Sequence, residues 1–99
     1  MIKWNEHIYI HNNIKENVSD IISDVYKYKS EKIYVVIKAL SDNNLLEIIS
    51  IAELLNGLYN NRDVEIYGIA RGKRNVKEIL IDIIEAAVDD KGNININNI

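Results

Sequence analysis

The amino-acid sequence predicts a single α/β domain, residues 1–99, in three layers with a mostly parallel sheet of about four strands. The first observation is the apolar run IYVVIKAL at residues 33–40, interrupted only by Lys38, which is typical of a strand buried on both faces. The second is the alternation of strand and helix patterns in the order β-α-β-α-β-α-β, which implies right-handed crossovers between parallel strands. With 99 residues, of which 47% are hydrophobic, the chain can bury one core and is too short for two.

The first strand and the first helix are predicted near the start of the chain. A short strand at residues 7–10 ends in a polar tripeptide, residues 11–13, of turn composition. Asn13, followed three residues later by Glu16, resembles a capping box at the beginning of a helix. The helix is predicted from apolar residues at helical spacing, which are Ile14, Val18, Ile21, Ile22 and Val25.

The second helix is predicted at about residues 42–59, after the cap residues that end the central strand. Its apolar positions cover about half of the helix circumference. They are Leu45, Ile48, Ile49, Ile51, Ala52, Leu55 and Leu58. Leu46 and Leu54 then fall among polar side chains on the other side of this helix.

The last third of the sequence predicts a strand, a helix and a weak edge strand. Residues 64–70 alternate as a strand does, and residues 76–89 have a wide apolar arc with Ile81 and Val88 at its margin. An acidic line opposite this arc consists of Glu78, Asp82, Glu85 and Asp89, and it is interpreted as the solvated stripe. Residues 93–97, NININ, suit a fourth strand at the sheet edge or an ordered tail.

The wide apolar arcs of the second and third helices predict a homo-oligomer. Aliphatic side chains beyond the stripe that covers a sheet need another cover, and self-association is the commonest one. The alternative is the ordinary scatter of exposed aliphatic side chains. The residues assigned to this interface are Leu46, Leu54, Ile81 and Val88.

A ligand site is predicted at the carboxyl edge of the sheet, where strands lead into helix N-termini with unsatisfied N–H groups. The loop after residue 70 carries the one dense cationic cluster, which favours a phosphate, a carboxylate or an acidic partner. The alternative is a loop that is charged for solubility. The residues assigned to ligand binding are His11, Asn12, Ser41, Asp42, Asn43, Asn44, Arg71, Lys73 and Arg74.

Composition argues against several classes of protein. The net charge of −3 gives no basic field for nucleic acid, and the absence of cysteine removes disulfides, thiolate metal sites and cysteine nucleophiles. The sequence shows no signal-peptide core and no apolar run of roughly 18 residues, so a cytoplasmic protein is expected. His7 and His11 would lie about 13 Å apart on a strand, too far to share a metal ion. No metal or cofactor is therefore expected.

Residues 7–80 resemble the Clp peptidase and crotonase-type fold in the succession HIYI, NNIKEN, a helix, IYVVI, a loop, a helix and DVEIYGIARG. In that family a glycine pair for the oxyanion hole follows the IYVVI-like strand, where this chain has SDNN at residues 41–44. The family nucleophile follows a G-x-A-x-S pattern, and here Gly72 stands in the serine position. No histidine follows His11. The resemblance therefore implies the scaffold without its peptidase residues.

The sequence is also similar to the STAS domain of anti-sigma-factor antagonists, small α/β proteins that are switched by phosphorylation of a serine before a leucine-rich helix. The similar segment is SDNNLL at residues 41–46, and it implies a regulatory module switched at Ser41. Asparagines stand where that family has its serine and glycine.

Three hypotheses of function follow. The first is a non-catalytic domain that self-associates and binds a protein or a small anionic ligand at the carboxyl edge of the sheet. The second is the regulatory module switched at Ser41. The third is a small enzyme that uses Asp42, His11 or Ser41, although a helix-capping aspartate is poorly suited to act as a base near neutral pH.

Overall fold

The computed structural model describes residues 2–23, 32–38, 46–54 and 63–93. Its elements are β1 (Ile2–Ile10), α1 (Val18–Ser23), β2 (Ile33–Lys38), β3 (Leu46–Ser50), α2 (Ile51–Leu54), β4 (Val64–Arg71) and α3 (Lys73–Ala87). The edge strand predicted at residues 93–97 lies outside the described residues except for its first residue.

The four strands form one mixed sheet in the order β1-β4-β2-β3. Only β1 and β4 are parallel, whereas β2 is antiparallel to both of its neighbours. The α/β class is confirmed, and the prediction of a mostly parallel sheet is wrong. A buried strand shows the same apolar run in either orientation, so the run at residues 33–40 carried no information on direction. The three-layer arrangement and the single domain stay predictions.

The strand β2 is buried on both faces, as its apolar run predicts. Val35 and Ile37 belong to one core cluster and Val36 to the other, and all three are fully buried. Because successive side chains of a strand point to opposite faces, the two clusters lie on opposite sides of the sheet. The centre of the sheet is therefore apolar on both faces.

The predicted second helix is wrong over most of its described part. Residues 46–50 form β3, which pairs with β2 from Lys38↔Leu46 to Tyr34↔Ser50, and only Ile51–Leu54 is helical. Residues 42–45 and 55–59 lie outside the described residues. The apolar residues here fit both a helical and an alternating pattern, and pairing with β2 decides between the two.

The other elements differ from prediction at their ends. The strand β1 begins at Ile2 rather than at residue 7, and α1 begins at Val18, so Ile14 is buried from the preceding loop. The strand β4 matches its prediction closely, and α3 is shifted a few residues toward the N-terminus. Val88, after the helix, has an extended backbone.

Helix α3 packs on one face of the sheet. Its buried side chains are Val76, Ile79, Ile83 and Ala87. Gly68 of β4 makes this contact close, because a Cβ atom there would lie 2.4 Å from Cγ2 of Ile79 and 3.1 Å from Cδ1 of Ile83. The absence of a side chain at Gly68 thus lets α3 approach β4.

The other core cluster joins the opposite face of the sheet to α1 and α2. Ile21 from α1, with Ile51 and Leu54 from α2, packs there with alternate residues of β2 and β4. Trp4 of β1 packs against the same cluster as a half-buried side chain. Ile14, in the loop that precedes α1, is buried in the same cluster.

Candidate functional site

The carboxyl ends of β1 and β4 lie at the same edge of the sheet, because these two strands are parallel. The strand β2 does not end at this edge. It runs the other way, so Lys38 and its partner Leu46 lie at the opposite edge. Ser41, Asp42, Asn43 and Asn44 are outside the described residues, and their part in a ligand site stays a prediction. The expectation that β2 runs parallel to β4 and ends at the same edge is wrong.

Asn13 joins the loop after β1 to the end of β4. Its side-chain Nδ2 donates to the carbonyl oxygen of Arg71 at 2.9 Å, and its Oδ1 accepts from the backbone N–H of Arg71 at 3.1 Å. Nδ2 of Asn75 donates to the same carbonyl oxygen at 2.9 Å. The Asn13 amide thus continues the hydrogen bonding of the sheet by one step beyond the strand.

The guanidinium of Arg71 is held by Glu16. Its Nη1 donates to Oε1 of Glu16 at 2.9 Å and to the carbonyl oxygen of Asn13 at 3.1 Å, and its Nη2 donates to Oε2 of Glu16. Each of the two charged side chains is about a quarter exposed. The hydrogen bonds from Arg71 lower the pKa of Glu16 to about 2.

We call Asn13, Glu16, Arg71 and Asn75 the edge clamp. Arg71 was assigned to ligand binding, but in the structure a carboxylate of the same chain neutralises its charge. Asn13 and Glu16 are 58 and 55 residues from Arg71 in the sequence. No local pattern could reveal this pairing, because it depends on the parallel packing of β1 and β4.

Both ring nitrogens of His11 have hydrogen-bond partners. Nδ1 accepts from the backbone N–H of Asn13 at 3.2 Å, and Nε2 lies 3.2 Å from Oε2 of Glu78. The neutral tautomer with its proton on Nε2 satisfies both contacts. In this arrangement neither nitrogen offers a lone pair to a metal ion or a substrate proton. The neighbouring Asn12 is exposed.

The beginning of α3 carries the remaining cations of this edge. Lys73 and Arg74 are exposed, and no side chain caps the N-terminus of the helix. The helix is preceded by Gly72, whose φ of 82° lies in the left-handed region that glycine adopts readily. The first turn has no acidic residue, so its positive charges add to the partial positive charge of the helix N-terminus.

The charges of α3 are separated along the helix. We call Lys73, Arg74 and Lys77 the basic start, and Glu78, Asp82 and Glu85, with Asp89 just after the helix, the acidic line. Within the helix, neighbours at three or four positions carry like charges except for Arg74 and Glu78, and each like-charge pair destabilises a helix by about 0.2–0.5 kcal/mol. Cations near the N-terminus and anions near the C-terminus also oppose the helix dipole. Within the described residues, the basic start makes no ion pair.

Beside the acidic line, aliphatic side chains are exposed on α3 and at Val88, the residue that follows it. Ile81 is 54% exposed and Val88 is 42% exposed, and Ile84 between them is half-buried. At 100° per residue these three side chains and Lys77 follow one line, which we call the outer stripe. It is separate from the face that packs on the sheet.

Of the four residues assigned to an interface, two are exposed on α3 and two are not. Leu54 is buried in the core, and Leu46 lies half-buried on β3 against the cluster that α3 covers. Their assignment depends on a helix through residues 42–59, but residues 46–50 form β3 instead. The exposed pair is Ile81 and Val88.

A polar groove of about 280 Å³ lies on the edge strand β1, and no sequence pattern predicted it. It forms where the pairing of β1 with β4 is interrupted between Trp4 and Tyr9. Nδ2 of Asn5 donates to Oε2 of Glu65 at 3.0 Å in this region. Burial, with a smaller contribution from Glu65, raises the pKa of Tyr67. The groove is open and is lined by exposed and half-buried side chains, which are Lys3, Trp4, Asn5, Glu6, His7 and Glu65.

Within residues 2–23, 32–38, 46–54 and 63–93, no three His, Asp or Glu side chains are grouped as a metal site. No helix in the same ranges has the length and apolar character needed to cross a membrane.

Comparison with known proteins found no family model, no curated protein and no solved structure that matches this chain.

Proposed function

We propose that this chain is a non-catalytic interaction module that binds an acidic protein partner or a small anion at the basic start of α3. The observation that carries the proposal is the combination of exposed Lys73 and Arg74 with an uncapped helix N-terminus. The two side chains contribute positive charge and the helix N-terminus contributes N–H donors at the same place. The first turn contains no acidic residue. The module is proposed to be cytoplasmic and oligomeric, as expected from the sequence.

The edge clamp has a supporting role in this proposal. Because Glu16 neutralises Arg71, the Arg71 side chain positions the start of α3 and does not bind the ligand. Asn13 and Asn75 both donate to the Arg71 carbonyl, so the loop and the helix are anchored at one residue. The ligand contacts then fall to Lys73 and Arg74, and contacts from residues 41–44 stay a prediction.

The non-catalytic part of the proposal is supported by His11. A histidine that acts as a base must have a free nitrogen lone pair within reach of a substrate proton. Nδ1 of His11 already accepts from Asn13, and Nε2 lies against Glu78. The enzyme hypothesis would therefore depend on Ser41 and Asp42, and the regulatory hypothesis on Ser41, all outside the described residues.

The proposal is tested by titrating the protein with inorganic phosphate and with a poly-glutamate peptide at low salt, using calorimetry. The test variant is Lys73→Ala with Arg74→Ala. The control is Lys3→Ala with Lys38→Ala, which removes two exposed lysines elsewhere on the sheet. We expect the test variant to bind at least one of the two probes about tenfold more weakly, since a hydrogen bond to a charged group contributes about 1.5 kcal/mol. Unchanged binding of both probes, or none by the wild type, would contradict the proposal.

Self-association is the second candidate function. It is supported by the exposure of Ile81 and Val88 on the outer stripe. Aliphatic side chains in a line on one helix are a common feature of surfaces that bind another helix.

A further inference from the structure

We infer that the acidic partner of this module is a second copy of the same chain, docked through the outer stripe with the two α3 helices antiparallel. The inference rests on the proposed function, because it names the partner that the basic start of α3 would bind. Three features carry it: the aliphatic line, the order of charges along α3, and the absence of ion-pair partners, within the described residues, for the basic start and for Asp82 and Glu85. Glu78 differs, because its carboxylate contacts His11.

The aliphatic line gives the contact its apolar centre. Ile81, Ile84 and Val88 follow the spacing of three and four residues at which two helices pack together. This line is distinct from the side of α3 that packs on the sheet, so a second helix can contact it without disturbing the core. The outer stripe therefore has the geometry of a helix-binding surface.

The order of charges selects the second copy and its direction. The basic start occupies the N-terminal half of α3, and the acidic line continues to its C-terminal end. An antiparallel second α3 places the acidic end of each copy beside the basic start of the other. A parallel copy would place like charges together, which is unfavourable.

The positions of Lys77 and Glu85 fit this arrangement. They lie four residues before and four residues after Ile81, on neighbouring parts of the helix surface. A two-fold axis near Ile81 would bring Lys77 of each copy close to Glu85 of the other. By symmetry one contact between unlike charges then occurs twice.

A second copy accounts for more of α3 than a small anion does. Phosphate could bind the basic start, but it would leave Asp82 and Glu85 without ion-pair partners among the described residues and the outer stripe without a cover. A second copy supplies acidic groups, basic groups and aliphatic surface together. The contact is small, because a helix of 15 residues is only about 22 Å long. We therefore expect weak association.

Sedimentation equilibrium at low salt, from about 10 µM to about 1 mM protein, tests the inference because a small interface is expected to associate in this range. Four chains are compared: the wild type, Lys77→Glu, Glu85→Lys, and the chain with both substitutions. Lys3→Glu is the control for reversing one exposed lysine elsewhere. Circular dichroism establishes that each variant is folded.

We expect the wild type and the control to form dimers. Each single variant should associate about tenfold more weakly, because it loses about one favourable charge contact. The double variant should recover wild-type association, because both partner positions have exchanged sign. A contact within one helix cannot explain recovery, since positions 77 and 85 are separated by about 12 Å along the helix axis.

Three results would overturn the inference. One is a wild-type protein that stays monomeric at every concentration. Another is a double variant that associates no better than the single variants. The third is association that the single substitutions leave unchanged. If the monomer still binds poly-glutamate through Lys73 and Arg74, the inference fails while the proposed function stands. If it binds neither probe, both fail.

Discussion

The edge clamp and the outer side of α3, meaning its basic start, acidic line and outer stripe, are neighbouring polar regions. They differ in whether their charged side chains are paired within the chain. In the edge clamp, Arg71 binds Glu16 through two guanidinium nitrogens, and Asn13 and Asn75 meet at the Arg71 carbonyl. Two residues further on, α3 begins with cations that make no ion pair within the described residues. Acidic side chains follow on the same helix, next to one another.

This difference separates a structural role from a binding role. Charges that hold a loop in place find partners within the chain, and their surroundings are half-buried. Charges on the outer side of α3 lower the stability of their own helix, by about 0.2–0.5 kcal/mol for each like-charge pair. A partner that places opposite charges beside these side chains would offset this loss of stability.

The largest effect should distinguish the inner side of α3 from its outer side. Ile83→Ala should lower the free energy of unfolding by about 2–5 kcal/mol, because Ile83 is fully buried against the sheet. Ile81→Ala is the matched control on the same helix, and it should cost less than about 0.5 kcal/mol in the dilute protein. Urea denaturation of both variants measures this. Equal losses of unfolding free energy would contradict the placement of Ile81 on the exposed side of α3.

The next effect concerns the edge clamp and uses two adjacent asparagines. Asn13→Ala removes the donor and the acceptor that meet the backbone of Arg71, and it should cost about 1–2 kcal/mol. Asn12→Ala is the control, because Asn12 is exposed, and it should change stability by less than about 0.5 kcal/mol. Denaturation midpoints compare the two. If Asn13→Ala were as mild as its control, the edge clamp would not hold the loop.

The pH dependence of stability should show the ion pair of the edge clamp. The hydrogen bonds from Arg71 lower the pKa of Glu16 from its ordinary value of 4.5 to about 2 in the folded protein, so the folded state favours the ionised form. The stability that Glu16 contributes is therefore present above pH 4.5 and is lost as the pH falls toward 2. Glu16→Gln should make stability less dependent on pH over this range. The comparison uses urea denaturation from pH 6 down to the acid limit of folding, about pH 2.

A control for this experiment is Glu6→Gln, which removes an exposed carboxylate of β1 that has no hydrogen bond to a described residue. Its profile should follow the wild type more closely than that of Glu16→Gln does. Identical acid profiles for Glu16→Gln and the wild type would contradict the ion pair.

The smallest effect should come from relieving the charges of α3. Asp82→Lys places a cation between Glu78 and Glu85, so two unfavourable contacts become favourable. We expect the monomer to become about 0.5–1 kcal/mol more stable at low salt, and the gain to shrink as salt is added. Glu6→Lys, the same kind of reversal on β1, serves as the control. No gain from Asp82→Lys would mean that the acidic line does not disfavour the monomer.

The parts of the fold that were predictable are those with strong local patterns. The strands β2 and β4 and the helix α3 each have enough apolar residues at one period to define the element and most of its length. Residues 46–54 failed because LEIISIAEL fits a helix as well as a strand followed by a turn of helix. The choice depends on pairing with β2, which is not a local property.

Only the chemical character of the site was predictable from the sequence. The sequence predicts a basic cluster beside a helix N-terminus, and Lys73 and Arg74 lie there. The sequence does not reveal that Arg71 is neutralised. Its partner Glu16 lies in the loop after β1, and the two meet because β1 and β4 are parallel neighbours. The direction predicted for β2 was also wrong, because the direction of β2 is set by its neighbours in the sheet.

The central claim is that the outer side of α3 meets a partner and the edge clamp does not. Amide ¹H–¹⁵N spectra of the wild type at a series of protein concentrations, up to about 1 mM, test it most directly. We expect shifts that grow with concentration at Lys77, Ile81, Glu85 and Val88, and constant positions at Asn13 and Arg71. Constant positions on α3, or shifts centred on the edge clamp, would contradict the account.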